Sequence, residues 1–186
     1  DLFNLKSFTL CAYIYPTTPY VDVEGVEVGT QAIITKWDEE NQTGYGIFIN
    51  EHGELCLKIG HGKGKVEEFS TGKPLYRKIW YKVGATFDAS TGKVSVFQEP
   101  YVTHTNSGHG MSMLHPKEDT SGQYHGSSLM GGPTTNDCPI LMAASTQISK
   151  SGRKLTGGHF NYLNEPLEIP VHTNKYNGKI ERPKIA

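Results

Sequence analysis

The sequence predicts an all-β protein: one domain built as an antiparallel, two-sheet jelly-roll-type sandwich with little helix. Three observations support this prediction. Apolar and polar residues alternate with a period of two in one run after another. Turn residues, among them many of the 21 Gly and 10 Pro, separate these runs. No stretch shows a sustained helical spacing of apolar residues, which argues against βαβ units.

Each predicted strand is a short run that ends at a turn signal. Residues 51–53 and 88–92 are short turns between two such runs, so each predicts a β-hairpin. The closing run is an alternating strand that ends at the end of the sequence. The predicted strands are residues 7–15, 31–37, 44–50, 54–59, 79–87, 93–98, 139–145 and 176–185.

Length and charge limit the classes of function. The 186 residues fit one domain, and we expect residues 1–186 to form a single sandwich cut from a longer polypeptide. The formal net charge of -1 argues against a nucleic-acid partner or a charged membrane surface. No apolar run approaches the length of a membrane span, which is about 20 residues.

The three cysteines are predicted to be reduced and structural. Cys11 and Cys56 lie in apolar runs, where a thiol behaves as a small hydrophobic group, and Cys138 leaves the count odd. Reduced thiols favour a cytoplasmic location.

Two long segments do not follow the strand pattern. Residues 101–137 and 147–175 are rich in Gly, Ser, Thr and Pro and are expected to be long loops. Such loops are uncommon in an isolated sandwich, and they have a use where a domain packs against other domains.

The candidate catalytic and metal-binding residues do not form a specific site motif. Four histidines, His104, His109, His115 and His125, lie in the first loop at spacings loosely compatible with zinc. No cysteine pair or acidic partner accompanies them, which favours polar loop histidines. The Gly60–Gly64 segment lacks the phosphate-loop pattern and is predicted to be a turn.

The acidic residues cluster mainly in predicted turns. A paired-carboxylate catalytic site is the less favoured interpretation, and calcium ligation by turn carboxylates stays open as an alternative. The sequence therefore predicts no catalytic residue and no metal ligand, and it leaves ligand-binding residues unassigned. The clusters are Asp22 with Glu24, Asp38–Glu40, Glu67–Glu68 and Glu118–Asp119.

Aromatic residues offer a further alternative, a sugar-stacking platform. The candidates are Trp37, Trp80, Tyr81 and the Tyr13/Tyr15 pair. Both tryptophans lie in apolar runs, so we expect both to be mostly buried.

Several of these runs resemble a laminin-G-like, concanavalin A-like jelly roll. The resemblance is carried by residues 8–15, 29–37, 44–49 and 80–88, and residues 176–180 are similar to that fold's last strand. Members of this fold bind carbohydrates, bind proteins, cleave glycans or serve as structural modules, so the fold alone decides no function.

A more specific resemblance is to the sandwich region in the N-terminal part of the N,N-dimethylformamidase large (beta) subunit. It is carried by residues 74–81, 105–107 and 176–185 and runs over nearly the whole chain, although the His-rich loop is longer here. This resemblance implies a parent enzyme that hydrolyses an amide with iron held by a tyrosine and glutamates. Those ligands lie in a separate, later domain, so none is carried over to this chain.

Two hypotheses follow. In the first, the chain is a non-catalytic accessory domain of a larger amidohydrolase, with no cofactor of its own, and its partners are other domains or subunits of that enzyme. In the second, it is a lectin-like module that binds carbohydrate or protein. Specific sugar binding would distinguish the second from the first.

Overall fold

The computed structural model describes residues 2–20, 28–101, 120–147, 153–154, 168–169 and 171–186. These residues contain short and medium-length strands joined by turns. The strands are β1 Phe8–Pro16, β2 Gln31–Asp38, β3 Thr43–Ile49, β4 Glu54–Gly62, β5 Lys65–Pro74, β6 Tyr81–Asp88, β7 Lys93–Pro100, β8 Gly122–Ser127, β9 Leu141–Met142, β10 Ser145–Gln147, β11 Arg153–Lys154, β12 Glu168–Ile169, β13 Val171–Thr173 and β14 Gly178–Ile185.

Two sheets hold most of these strands. Sheet A has five strands in the order β14-β1-β6-β7-β8. Sheet B has seven, in the order β13-β10-β2-β3-β4-β5 with β9 also paired to β2, and β11 pairs separately with β12. The described pairings are antiparallel except that of β10 with β2, where Thr146 lies opposite Asp38. The predicted all-β, two-sheet jelly-roll sandwich is confirmed.

Tight turns set the register of the hairpins. Both predicted hairpins are present, with Ile49 opposite Leu55 in β3–β4 and Asp88 opposite Lys93 in β6–β7. A further hairpin joins β4 to β5 through Lys63–Gly64, whose φ angles are 56° and 78°. Positive φ at both positions is typical of a type I′ turn, which Gly64 adopts without steric cost.

The main core lies between the two sheets. Alternate residues of β1, β6 and β7 face alternate residues of β2 to β5, which is the period-two pattern seen in the sequence. Phe8 of sheet A stacks on Tyr45 of sheet B with ring centroids 4.1 Å apart. Burial raises the pKa of Tyr45 to about 12, and its hydroxyl donates to the Phe3 carbonyl at 2.8 Å.

A second, smaller core lies on the outer face of sheet B. It contains Ala32, Trp37, Phe48 and Cys56, all buried, with Val66 packed against them. The Trp37 and Phe48 rings meet edge to face at 5.7 Å. Strands β2 and β3 are therefore buried on both faces.

The structure corrects several expectations. Residues 139–145 are not one buried strand: β9 and β10 share this region, and Met142 is 57% exposed. The expected loop 101–137 includes β8, which pairs with β7, and residues 147–175 include the short strands β11, β12 and β13. The polar sequences of these strands carry no apolar alternation, so the periodicity missed them.

The described part of the chain contains no helix with the length and apolarity that a membrane span requires.

Candidate functional site

The predicted histidine cluster is only partly described. His104, His109 and His115 lie outside the described residues. His125 lies on β8, where its Nδ1 is 3.1 Å from the Ser95 hydroxyl oxygen. Within the described ranges, no group of three or more His, Cys, Asp or Glu side chains converges as metal ligands would.

The acidic clusters also fall into separate surroundings. Asp22, Glu24, Glu118 and Asp119 lie outside the described residues. In the β2–β3 turn, the carboxylate of Asp38 accepts hydrogen bonds from Asn41, and that of Glu39 accepts one from the Trp37 indole at 2.8 Å. These contacts hold the turn together.

Glu67 and Glu68 were predicted to lie in a turn, and this prediction is wrong. Both lie within β5, which pairs with β4 and places the two side chains on opposite faces of sheet B. Glu68 forms an ion pair with Lys58 at 3.3 Å. The sequence of β5 is too polar to show strand alternation. The turn at Lys63–Gly64 was the sequence feature that could have predicted a second hairpin strand here.

Glu67 organises a polar cluster that the sequence analysis missed. Its carboxylate lies 3.0 Å from His61 Nε2 and accepts hydrogen bonds from the Ser128 hydroxyl and the Leu129 amide. Burial opposes ionisation, but these hydrogen bonds outweigh it and lower the pKa of Glu67. In this arrangement the carboxylate separates the hydroxyl from the imidazole, so His61 does not activate Ser128 as a nucleophile.

Two cysteines are shielded from chemistry by burial. All three thiols are free. Burial, with Glu68 adding to it, raises the pKa of the Cys56 thiol well above its ordinary value, and burial raises that of Cys138 to about 11. Because the thiolate is the reactive form, neither is a good nucleophile. Cys11 is half-buried on the outer face of sheet A.

Lys36 is a buried cation that has a structural partner. Its ammonium donates to the Cys138 carbonyl at 2.7 Å, which ties the segment before β9 to β2. Burial lowers the pKa of Lys36. Leaving this buried ammonium without a partner would be costly. Breaking the hydrogen bond is therefore unfavourable, and the bond anchors the segment.

The predicted aromatic candidates separate into two groups. Trp37 and Tyr81 are buried, with exposures of 3% and 0%, so neither can stack on a ligand. Trp80 is covered less completely than Trp37 but keeps only a minority of its surface exposed, so both tryptophans are mostly buried, as expected. Tyr13 and Tyr15 point outward from β1.

The outward group forms what we call the aromatic patch, on one half of the outer face of sheet A. Tyr15 and Trp80 lie 5.4 Å apart, and Tyr13 meets Tyr101 edge to face at 5.2 Å. Phe97 lies on β7, two strands from β1 in sheet A. The aromatic patch comprises Tyr13, Tyr15, Trp80, Phe97 and Tyr101.

Gly84 determines how Phe97 lies. A Cβ placed at Gly84 would come within 2.7 Å of the Phe97 ring and 2.8 Å of the Leu10 carbonyl oxygen. The glycine therefore allows the Phe97 ring to lie close against the strand, so that the ring covers the backbone of β6. A larger residue would lift the ring away from the sheet.

Cations lie over three of the five rings of the aromatic patch. Lys179 lies over Tyr15 at 5.7 Å, and Lys82 lies over Phe97 at 5.9 Å. The Arg182 guanidinium lies over Tyr13, also at 5.9 Å. Each of these contacts is a cation–π interaction, which holds a long charged side chain against the sheet.

Charge on this half of the face is unequal. Cationic side chains outnumber acidic ones among its described residues, although the whole chain has a net charge of -1. The other half of the same face is mainly Thr, Ser and His. The cations are Lys82, Lys179, Arg182 and Lys184, and the acids are Glu99 and Glu181.

A cleft of about 420 Å³, lined mainly by polar residue types, lies elsewhere, between the ends of β1 and β2 and the segment before β14. Its amide side chains already have partners: Gln31 donates to the Thr18 carbonyl and accepts from the Asn177 amide. Asn174 donates to Glu39 and Ser145. These hydrogen bonds join the surrounding segments.

Comparison with known proteins finds two relatives by sequence. No protein-family model matches the chain. A curated protein of Paracoccus aminophilus is 31% identical over 182 residues, and one of Alcaligenes sp is 25% identical over 182 residues. Both are named N,N-dimethylformamidase beta subunit. The chain resembles a region of that subunit.

The resemblance to the dimethylformamidase beta subunit that the sequence predicted is thereby confirmed. The matches cover 96% of this chain but 20% of each relative, so the chain spans about a fifth of the length of these beta subunits.

Solved structures with a similar fold have low sequence identity. A heptameric SAP-like pentraxin from Limulus polyphemus has a TM-score of 0.45 and 15% identity, covering 97% of this chain and 64% of that chain. A candidate carbohydrate-binding protein from Bacteroides ovatus has a TM-score of 0.34 and 15% identity, covering 97% and 53%. No ligand of either protein transfers to this chain.

Proposed function

We propose that this chain is a non-catalytic accessory sandwich domain of a larger N,N-dimethylformamidase-like amidohydrolase, in which it serves domain or subunit assembly. The observation that carries the proposal is the extent of the match: nearly all of this chain corresponds to a fifth of the dimethylformamidase beta subunit. A segment of that size has the dimensions of one domain within a much longer polypeptide.

The chemistry of the described residues supports a binding role over a catalytic one. The buried thiols of Cys56 and Cys138 have raised pKa values, and the carboxylate of Glu67 is held ionised by its donors. Groups with these pKa shifts are poorly suited to act as nucleophile or general acid near neutral pH. The partly exposed aromatic patch is, by contrast, typical of a contact surface.

The proposal places the remaining chemistry outside this chain. Residues 1–186 act as one domain of a cytoplasmic enzyme, and the iron that the resemblance implies is held by another domain. In that enzyme the sandwich contributes contacts that hold domains or subunits in place, and amide hydrolysis takes place elsewhere.

An assay of amide hydrolysis tests this proposal. The complete enzyme, meaning the full polypeptide with its partner subunits, should hydrolyse N,N-dimethylformamide, and the 186-residue chain should not, with or without added iron. Deleting the chain from the complete enzyme should impair assembly, measured by native mass spectrometry. Turnover by the chain alone would refute the non-catalytic role.

A glycan array with a calcium titration tests the lectin-like alternative. Specific, saturable binding of a sugar to the chain would refute the assembly role and favour a lectin-like module. The rings of Tyr13 and Tyr15 already contact an aromatic neighbour and a cation each, so we expect no such binding.

A further inference from the structure

We propose that the aromatic patch is the surface through which this chain docks, and that its partner is an acidic protein surface elsewhere in the same enzyme. This inference rests on the proposed accessory function and adds to it the docking face and the chemistry of the partner. Tyr, Trp and Arg are the residue types most enriched at the energetic centres of protein interfaces. The aromatic patch contains Tyr and Trp, Arg182 lies over its Tyr13 ring, and Tyr101 within it is 51% exposed.

The cations of this face lack acidic partners in the described part of the chain. The ion pairs between described residues involve His52, Lys58 and His61, and all three lie on other surfaces. Lys82, Lys179 and Arg182 lie over rings of the aromatic patch, Lys184 lies opposite Cys11, and all four residues are exposed to solvent. A partner that supplies carboxylates would complement them, and complementary charge guides both partner choice and association rate.

The backbone at Arg182 is a second, independent observation. Arg182 has a φ angle of 48°, in the left-handed region that non-glycine residues rarely adopt. It lies where the register between β1 and β14 shifts, close to the pairing of Tyr13 with Glu181. This bulge places the guanidinium over Tyr13, and left-handed non-glycine residues occur preferentially at binding and catalytic sites.

The contacts with the rings hold the cations in position before a partner binds. A free lysine or arginine loses side-chain entropy when it forms an interface contact. Lys179 and Arg182 are already held against Tyr15 and Tyr13, so less freedom is lost when a carboxylate approaches. The same contacts occupy the rings, which makes the patch better suited to an acidic protein than to a stacked sugar.

Charge reversal in the complete enzyme is the first test. The double variant Lys179→Glu/Arg182→Glu should weaken assembly by about tenfold or more, because two attractive contacts become repulsive. Wild-type assembly should weaken as salt rises, and the variant should lose that dependence. Lys93→Glu is the matched control, since Lys93 is exposed at the other end of the same face, and it should assemble like wild type. Equal assembly of all three proteins would overturn the inference.

Photo-cross-linking identifies the partner without a destabilising charge change. p-Benzoylphenylalanine would replace Tyr101 in the patch, Thr9 on the other half of the face, or Met142 on sheet B. The inference expects cross-links from position 101 to a segment rich in Asp and Glu in the complete enzyme. Cross-links from position 101 to a segment without acidic residues would overturn the proposed chemistry.

The remaining outcomes separate the two proposals. Cross-links from position 9 or 142 but not from 101 would overturn the docking face and leave the accessory function standing. Absence of cross-links from all three positions, with assembly unaffected by deletion of the chain, would overturn both.

Discussion

The outer faces of the two sheets carry similar residue types in opposite surroundings. On sheet B, Trp37 and Phe48 are 3% and 1% exposed and form a small second core with Cys56. On sheet A, Trp80 and Phe97 are partly exposed, and cations lie against the aromatic patch. The strand sequences alternate in the same way on both sheets, so alternation alone does not tell a covered face from an exposed one.

The difference shows which contacts stabilise the fold and which remain for function. An aromatic ring that is fully buried contributes its whole apolar area to stability. A ring that stays partly exposed contributes less, and its remaining area is available to a partner. Sheet B therefore supplies stability on both of its faces, whereas sheet A supplies stability on one face and leaves partly exposed rings on the other, where we propose the docking surface.

Truncating one phenylalanine on each outer face should give the largest contrast. Phe48→Ala should lower the free energy of unfolding by about 3–5 kcal/mol, because it leaves a cavity in the second core. Phe97→Ala should cost about 1 kcal/mol, since that ring is partly solvated already. Urea unfolding followed by circular dichroism measures both. Equal losses would contradict the distinction between the two faces.

A smaller effect, dependent on pH, is expected at Glu67. Its folded-state pKa is lowered, so the stability it contributes is present above its ordinary pKa and is lost as the pH falls through the lowered pKa. Glu67→Gln should therefore lose about 1–2 kcal/mol near neutral pH, through weaker bonds to Ser128 and Leu129. The difference from wild type should shrink on acidification. A difference that is independent of pH would show that ionised Glu67 is not what holds the segment around Ser128.

Thiol labelling compares the two faces without a change in stability. Cys11 is half-buried on sheet A, and Cys56 is fully buried on sheet B with a raised pKa. Iodoacetamide should label Cys11 much faster than Cys56 in the folded protein. The variant Cys11→Ser provides the control, because it should remove most of the fast reaction. Fast labelling that persists in this variant would show that a buried thiol is more accessible than the structure implies.

Tryptophan fluorescence should give the smallest but most direct contrast. Iodide should quench the emission of Trp80 and leave that of Trp37 nearly unchanged. The variants Trp37→Phe and Trp80→Phe separate the two signals. If the emission that remains in Trp80→Phe is quenched as strongly as that in Trp37→Phe, the second core is open to solvent.

The alternating strands and their hairpins could be predicted from the sequence, because burial on one face leaves a period of two. The pattern around Phe48 placed Tyr45, Ile47 and Ile49 together, and the structure puts these three in the main core. Strand β8 could not be found this way, since Gly122–Ser127 carries one aromatic residue among polar ones.

The candidate site was predictable only in part. Tyr13, Tyr15 and Trp80 were recognised as aromatic candidates, but Phe97 and Tyr101 join them only through the pairing of β6 with β7. The contact of Ser128 with Glu67 links residues 61 positions apart, so it depends on the packing of two sheets. Whether a ring on an outer face is covered depends on tertiary contacts that no local pattern contains.

Hydroxyl-radical footprinting of the complete enzyme tests the central claim, that the exposed face of sheet A is the docking surface. Tyr101 and Met142 have similar exposures, 51% and 57%, and lie on different sheets. With each rate normalised to the unfolded enzyme, the account predicts that Tyr101 is protected several-fold more than Met142. The central claim would be contradicted if Tyr101 in the complete enzyme were modified as fast as expected for a side chain that is 51% exposed.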